Sequence, residues 1–455
     1  FGIGDCVSLK PFRDAGIQIL KMDMVTLLGT TPSGAPELEP TIGFPTDFSS
    51  NAVAVVGLAC RFPGANSVEE LWEVISSGKS MVQEVPTDRI NFKDCFRAQS
   101  DLKWASKQKF YGNFISDHDC FDYSFFRVSS KEATYMDPQQ CLLLETAYQA
   151  MESSGYIGSS QNRDAGDRVG VFLGASFIDY LEHTSAHPPN AYTATGTITA
   201  FLSGKISHYF GWTGPSEVID TACSSSLVAI SRACRALQRG ECTTALAGGV
   251  NFLGTATHFL DLGRAGFLSQ TGQCKPFDAA ADGYCRSEGV GLLVLKPLSE
   301  AMDNNDKIFA VIPGIATNQG SDPKSITVPH TPSQLQLYKD VLREANMNPS
   351  AVTYVETHGT GTQVGDPIEI EGIRRAFAGP TREHAVYVGS IKANIGHCES
   401  AAGVAGVIKS ILMINKGVIP AMANFQRLNP KIPSIEPDKM VIPTTRQPWK
   451  APFRA

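Results

Sequence analysis

No stretch of this sequence stays apolar for the roughly 18 residues that a membrane-spanning helix needs, so no membrane partner is expected. Basic blocks and basic-aromatic runs are missing too, and the formal net charge is −6. A nucleic-acid partner is therefore not expected either. The eleven cysteines include no C-x-x-C pair and are odd in number. That pattern speaks against a disulfide framework and against a structural zinc site. A reducing, cytoplasmic setting fits it best. The first residue is Phe1 rather than Met, so the chain is expected to be an internal piece of a longer polypeptide. Its lack of a signal peptide then says nothing about the parent protein. No repeat is visible at the level of sequence.

What is present is ordinary for a globular protein and ample for a large core: 455 residues, 42% hydrophobic and 18% charged. Residues 1–28 are mildly apolar, with candidate strands at Ile17–Leu20 and Val25–Leu28. Residues 29–50 are rich in Pro, Gly, Ser and Thr and read as a linker. A domain opens with the apolar run 52–60, a buried strand. Ser67 and Glu70 form a capping-box pattern ahead of a helix over Val68–Ile75. An amphipathic helix is expected over Gln139–Glu152. Strands are expected at Val169–Leu173, Ala245–Asn251, Gly289–Leu295, Thr353–Glu356 and Ala385–Ser390, with helices at Asp366–Phe377 and Glu399–Asn415. Strands alternating with helices predict α/β layers around buried sheets. Two stretches, about 51–300 and 301–455, carry similar element orders.

The run V-I-D-T-A-C-S-S-S-L-V-A-I (218–230) organises the chain. Val218 and Ile219 end a buried strand. From Ser224 the spacing turns helical, through Leu227, Val228, Ile230, Ala233, Cys234 and Leu237, and Gly240 stops the helix. Cys223 thus lies on a strand-to-helix turn. Unpaired N–H groups and the positive end of the helix dipole are expected to bias its thiol toward thiolate. The alternative is a buried structural cysteine.

Two further strand ends carry histidines. T-H-G-T-G-T-Q-V-G-D (357–366) places His358 beside three glycines, a loop shaped for close backbone approach. It lacks the spacings of phosphate-binding loops. S-I-K-A-N-I-G-H-C-E-S-A-A-G (390–403) places His397 at a helix start, with Lys392 five residues earlier. Either histidine alone could be a satisfied structural residue, and Lys392 alone a solvated one. One nucleophile with two histidines suits acyl transfer plus a step that develops negative charge on an oxygen.

Taken together, C-R-F-P-G-A (60–65), M-D-P-Q-Q (136–140), D-T-A-C-S-S-S (220–226), K-P-F-D-A-A-A-D-G-Y-C-R-S-E-G (275–289), E-T-H-G-T-G-T-Q-V-G-D-P-I-E (356–369) and 390–403 resemble the β-ketoacyl synthase (ketosynthase) domain of polyketide synthases. N-A-Y-T-A-T-G-T (190–197) and G-K-I-S-H-Y-F-G-W-T-G-P (204–215) resemble the iterative, fungal non-reducing type. The opening F-G-I-G and the linker resemble the end of a starter-unit acyltransferase domain. The resemblance implies a thiolase-like fold, five-layered α-β-α-β-α from two similar halves, and a homodimer. It implies decarboxylative Claisen condensation of an enzyme-bound acyl group with a malonyl unit. Both substrates would arrive as thioesters on the phosphopantetheine of an acyl carrier protein, alongside acyltransferase domains of the same polypeptide. No metal and no cofactor of the domain itself are implied. Cys223 matches the acyl-accepting nucleophile and a donor of the oxyanion site. His358 and His397 match the pair that supports decarboxylation and the enolate, and Lys392 the lysine that orders them.

Two departures from the family pattern stand out. Cys141 follows M-D-P-Q-Q where the family carries Arg, and this puts a structural ion pair in question. The chain is also expected to stop before the family's last Gly-rich strand. Thiolases use a second cysteine, and chalcone-synthase-like enzymes an asparagine, where this chain has His397. Chain order and the missing local signature exclude a papain-like hydrolase. A catalytically silent subunit would lack the nucleophile or a histidine, and none of these is lacking here.

Overall fold

The computed structural model describes residues 51–92, 104, 108–156, 167–185, 187–320, 327–449 and 455. The strands and linker expected before residue 51 lie outside them. The elements that shape the site are β1 (Val53–Arg61), α1 (Val68–Ser76), α2 (Pro138–Ser153), β2 (Val169–Gly174), α3 (Tyr180–Ser185), α4 (Ala200–Phe210), β3 (Ser216–Ile219), α5 (Ser225–Gln238), β4 (Thr244–Asn251), β5 (Gly289–Pro297) and β6 (Ala310–Ile312). They continue with α6 (Thr331–Glu344), β7 (Tyr354–Glu356), α7 (Gly365–Phe377), β8 (Val386–Gly389), α8 (Ala402–Lys416) and β9 (Met440–Val441).

Six strands form one sheet in the order β3-β2-β4-β5-β1-β6. The trio β3-β2-β4 is parallel, and β5, β1 and β6 continue antiparallel. Three parallel strands, β7-β8-β9, form a second sheet. Both faces of the first sheet are covered, which is why β1 and β4 are buried along their whole length. On one face Ala54, Val56 and Ala59 of β1 meet Leu143, Ala147 and Met151 of α2 and Ile206 of α4. On the other face Val53, Val55, Leu58 and Cys60 meet Ala229, Ala233 and Leu237 of α5 and Val404 and Ile408 of α8. The inward parity switches from odd to even numbers because the register of β1 slips between Val55 and Gly57.

The second sheet divides its side chains in the same way. Val386 and Val388 face Ile370, Ile373 and Phe377 of α7. Tyr354 and Tyr387, paired in register, fall on the other side with Met413 of α8. From outside inward and out again the layers are α2/α4, first sheet, α5/α8, second sheet, α7/α6.

Capping follows the sequence. Ser67 accepts the Glu70 N–H at 3.2 Å, while the Glu70 carboxylate reaches back to the Asn66 N–H at 2.7 Å. Three local expectations need correction. Helix α2 is not one-faced: Gln139, Gln140, Leu142, Leu143, Leu144, Thr146 and Ala147 are all buried, because it packs on the sheet and on α4 together. β3 is only half-buried, since it is an outer strand of its sheet. Leu227 does not join the core but is 43% exposed at the first turn of α5. The inward face of α5 is set instead by small residues, Ser225, Ser226, Ala229 and Ala233, as close packing between two sheets demands. Cys141 packs beside the α2 core, and the neighbouring Glu145 pairs with Arg61 at 2.9 Å.

Candidate active site

β3 ends at Ile219 and the chain reverses into α5 within five residues. Ala222 takes a positive φ of 53° at the sharpest point, so the turn is strained by itself and needs fixing. The polar residues of D-T-A-C-S-S-S supply that fixing. Asp220 accepts the Ala222 N–H at 3.0 Å and the Ser176 hydroxyl at 2.8 Å. Ser225 Oγ accepts from Thr221 N at 2.9 Å and donates to Ala222 O at 2.6 Å. Ser226 Oγ accepts the Val404 N–H at 3.1 Å and so ties α5 to α8. At Gly174, the end of β2, a Cβ would lie 2.5 Å from the Ser226 nitrogen. Only glycine lets α5 come down onto the strand ends.

Cys223 stands on this turn, half-buried. The expected bias toward thiolate is not what the surroundings produce. Burial, and next the Glu399 carboxylate, push the thiol up to about 11, against the opposing charge of Lys392. The resting side chain is a neutral thiol, because dehydration outweighs the single helix end. What faces it is an imidazole: His397 Nε2 lies 3.1 Å from Cys223 Sγ.

His397 is held by its backbone, which donates to Cys285 O at 2.8 Å and accepts from Ser287 N at 3.0 Å. Its Nδ1 accepts the Glu399 N–H at 3.2 Å. That contact assigns the tautomer, leaving the proton on Nε2, aimed at the sulfur. Burial, then Lys392, His358 and Arg286, hold this ring well below the ordinary imidazole value, so it is neutral.

The His358 ring lies edge-to-face with His397, centroids 5.4 Å apart. Its loop is clamped from α7. Glu369 accepts the N–H groups of His358 at 2.6 Å and Gly359 at 2.8 Å. Asp366, three positions earlier on the same face, accepts from Gly361 and Thr362, each at 3.2 Å, and from Phe277 at 2.7 Å. Gly361 has φ +80°, and a Cβ there would come within 2.6 Å of Lys275 N. Burial and then the Lys392 charge push the His358 imidazole down to about 3. His358 is nevertheless an exposed residue, so solvent screens much of this effect, and the ring is neutral at physiological pH in either case.

Lys392 is buried, with its N–H on Ser390 Oγ at 3.4 Å. Its charge acts on Cys223, His358, His397 and Glu369 alike. The structure thus gathers all four residues singled out from the sequence at one place, although Cys223 and His397 are 174 positions apart.

Other residues of the site were not singled out. Arg286, fully buried, forms a two-point ion pair with Glu399 at 2.7 and 3.1 Å, directly behind His397. Its guanidinium also lies over Phe259 at 4.7 Å. Glu356 joins three segments: it accepts Ile391 N–H at 2.6 Å, Lys409 Nζ at 2.7 Å and the Tyr354 hydroxyl. A charge inside a small-residue run, as in C-E-S-A-A-G, is the one sequence signal that could have flagged Glu399. Glu356→Ala leaves the Lys409 ammonium buried without its counter-charge. It is expected to lower unfolding free energy by about 3–5 kcal/mol in equilibrium urea titrations, and Glu356→Gln by clearly less. Equal small losses for both variants would refute the role of the charge.

Residues 50–301 match the family description "Beta-ketoacyl synthase, N-terminal domain", and residues 309–426 match "Beta-ketoacyl synthase, C-terminal domain". The chain belongs to the β-ketoacyl synthase family. This β-ketoacyl synthase chain is 59% identical over 461 residues to the non-reducing polyketide synthase atr1 of Stereocaulon alpinum, covering 100% of the chain and 18% of that relative. It is 54% identical over 455 residues to the non-reducing polyketide synthase ascC of Acremonium egyptiacum, covering 100% of the chain and 21% of the relative. The chain spans about a fifth of the length of these curated relatives. Among solved structures it resembles the ketosynthase from module 6 of the bacillaene synthase of Bacillus subtilis 168. The TM-score is 0.78 at 33% identity, over 88% of this chain and 68% of that one. It resembles equally the oxazolomycin ketosynthase domain OzmH KS7 of Streptomyces albus JA3453, with TM-score 0.77 at 33% identity, over 89% of this chain and 70% of that one. The five-layered thiolase-like fold expected from the sequence is the fold these ketosynthases share with this chain.

Proposed function

We propose that this chain is the condensing domain of a non-reducing polyketide synthase, with Cys223 as the acyl carrier nucleophile and His358, His397 and Lys392 as its partners. The observation that carries the reading is the 3.1 Å contact between Cys223 Sγ and His397 Nε2, with His358 edge-on behind it. In the first half-reaction the Cys223 sulfur attacks a carrier-bound thioester. Its proton leaves with the carrier thiol, and the acyl group stays on Cys223. Malonyl thioester then loses carbon dioxide, and two neutral imidazoles offer N–H donors to the enolate oxygen that forms. Neutral rings suit this step, because they donate without trapping the enolate as a protonated product. The enolate carbon attacks the Cys223 thioester and expels the sulfur as thiolate; the β-ketoacyl chain departs on the carrier, and a proton from solvent restores the Cys223 thiol.

In this reading the acyl carrier protein supplies the phosphopantetheine, the domain holds no cofactor of its own, and acyltransferase domains of the same polypeptide load the substrates. Among the described residues no helix is long and apolar enough to cross a membrane. A cytoplasmic location is part of the proposal. So is a homodimer, for which the open edge of β3 offers a pairing surface; sedimentation equilibrium giving twice the chain mass checks it.

The direct test supplies the natural polypeptide with acyl-loaded and malonyl-loaded carrier protein. Carbon dioxide and β-ketoacyl carrier are expected in equal amounts. A protein that folds, dimerises and yields neither is a silent subunit, and the proposal fails.

A further inference from the structure

The residue types of a cysteine hydrolase stand together in this site. The Cys223 thiol faces the His397 imidazole, and a carboxylate, Glu399, follows two positions along the chain. In a hydrolase of that kind the carboxylate accepts the proton of one ring nitrogen, and the other nitrogen takes the proton of the nucleophile. Here the same groups are arranged the opposite way. His397 Nδ1 accepts the backbone N–H of Glu399 at 3.2 Å, so the ring proton sits on Nε2 and faces the sulfur. The Glu399 carboxylate bonds Arg286 instead.

Arg286 Nε donates to Glu399 Oε1 at 2.7 Å, and Nη2 donates to Oε2 at 3.1 Å. Both carboxylate oxygens are thus engaged by one planar fork. The two side chains are buried, at 0% and 5% exposure. Arg286 is itself fixed from several sides. Asn113 Nδ2 donates to its carbonyl at 3.3 Å, and its guanidinium lies over the rings of Phe259 at 4.7 Å and Phe177 at 5.5 Å. Its neighbours in sequence, Cys285 and Ser287, bond the His397 backbone. One short segment therefore fixes both the His397 backbone and the Glu399 side chain.

The backbone of Glu399 is strained. With its N–H aimed back at the ring two residues earlier, it takes a φ of 45°, a left-handed conformation unusual for a glutamate. Such a conformation persists only where the surroundings impose it. The grip of Arg286 on the side chain is the contact that imposes it.

We propose that Arg286 and Glu399 are a positioning pair that keeps His397 a hydrogen-bond donor and keeps the site from acting as a thioester hydrolase. The inference rests on Cys223 being the acyl-accepting residue, and its test separates the two. Without Arg286 the Glu399 carboxylate is released to accept a proton from Nδ1. The ring proton then moves to Nδ1, Nε2 becomes an acceptor, and it takes the thiol proton of Cys223. On an acylated enzyme the same Nε2 takes a proton from water. The water oxygen bonds to the acyl carbon, the C–S bond breaks, and the proton passes to the departing sulfur. The other titratable groups that act on the ring are His358 and Lys392, and the Tyr284 ring meets it edge-to-face at 5.1 Å. The Asp179 carboxylate acts on the guanidinium. These four stay as they are in the variants below.

The experiment uses the natural polypeptide as wild type, Arg286→Met, Arg286→Lys and the double variant Arg286→Met/Glu399→Gln. Three quantities are measured: carbon-dioxide release from malonyl-loaded carrier protein, hydrolysis of pre-formed acyl-Cys223, and the pH midpoint for alkylation of Cys223 by iodoacetamide. Arg286→Met is expected to slow carbon-dioxide release about 10²-fold. It is expected to speed hydrolysis at least about tenfold and to lower the alkylation midpoint by about two pH units. A merely structural defect slows every reaction and leaves the midpoint in place. The double variant has neither a carboxylate to accept the Nδ1 proton nor an unpaired buried charge, so its midpoint and hydrolysis are expected close to wild type. Arg286→Lys keeps the cation without the fork and is expected to shift the midpoint by about one unit in the same direction. It decides the question if Arg286→Met does not fold. An unchanged midpoint or an unchanged hydrolysis rate overturns the proposal, whatever happens to carbon-dioxide release. A double variant that behaves like Arg286→Met overturns it as well. If the wild type carries its acyl group on another cysteine, it is the assignment of Cys223 that fails. That outcome is read from the labelled peptide, independently of the midpoints.

Discussion

Cys223→Ala is expected to abolish acyl loading and condensation altogether. In the proposed reading the thiol on the strand-to-helix turn forms the thioester, and burial keeps it protonated until substrate arrives. Burial dominates its pKa of about 11. Deprotonation therefore has to be driven at the moment of attack, when the departing carrier thiol can take the proton and the His397 Nε2–H can stabilise the sulfur. In intact-mass spectra the wild type gains one acyl group from an acyl thioester and the variant gains none. Cysteines such as Cys60, Cys234 and Cys398 are buried, and burial raises their thiols too, so they are expected to stay unlabelled. A label that persists in Cys223→Ala would show that the turn is not the nucleophile.

His358→Ala and His397→Ala are each expected to slow malonyl decarboxylation and condensation by about 10²–10³, the usual loss for one oxyanion donor. Loading of Cys223 should suffer far less. The split should be widest for His358, whose ring stands behind His397, whereas His397 also touches the sulfur. Carbon-dioxide release and acyl-enzyme formation, measured on the same preparations, give the two rates. If both variants condense at the wild-type rate, the two histidines are structural. The pH dependence supplies a second check. Both rings have lowered pKa values, His358 to about 3, so both are already neutral well below the ordinary 6.5. Decarboxylation is then expected to show no inflection near 6.5 between about pH 5 and pH 8. For stability the sign is the reverse of a paired histidine. The unfolded chain binds protons at these positions as pH falls through 6.5 while the folded chain does not, so their contribution is lost on the acid side.

Much of this protein is legible in the order of its residues. Short apolar runs place β1, β2, β4, β5 and β7, and helical spacing places α7, within a residue or two, because a strand covered on both faces is apolar along its length and a helix that buries one face repeats its apolar residues at the period of its backbone. Cys223, His358, His397 and Lys392 stand at strand ends marked by small residues and glycines, and such sites need close backbone approach whatever surrounds them. The similarity of the motifs to β-ketoacyl synthases likewise lies entirely in the sequence. What the tertiary structure alone decided are the properties that depend on distant partners. The Cys223 turn looked activating by its helix end, yet the loss of water, and next the charge of Glu399, raise the thiol. The buried Arg286–Glu399 pair joins positions 113 apart, and Glu356 meets Lys409 across 53. No local pattern encodes such pairings, because a charge is admitted to the interior only when the complete fold brings its counter-charge to meet it.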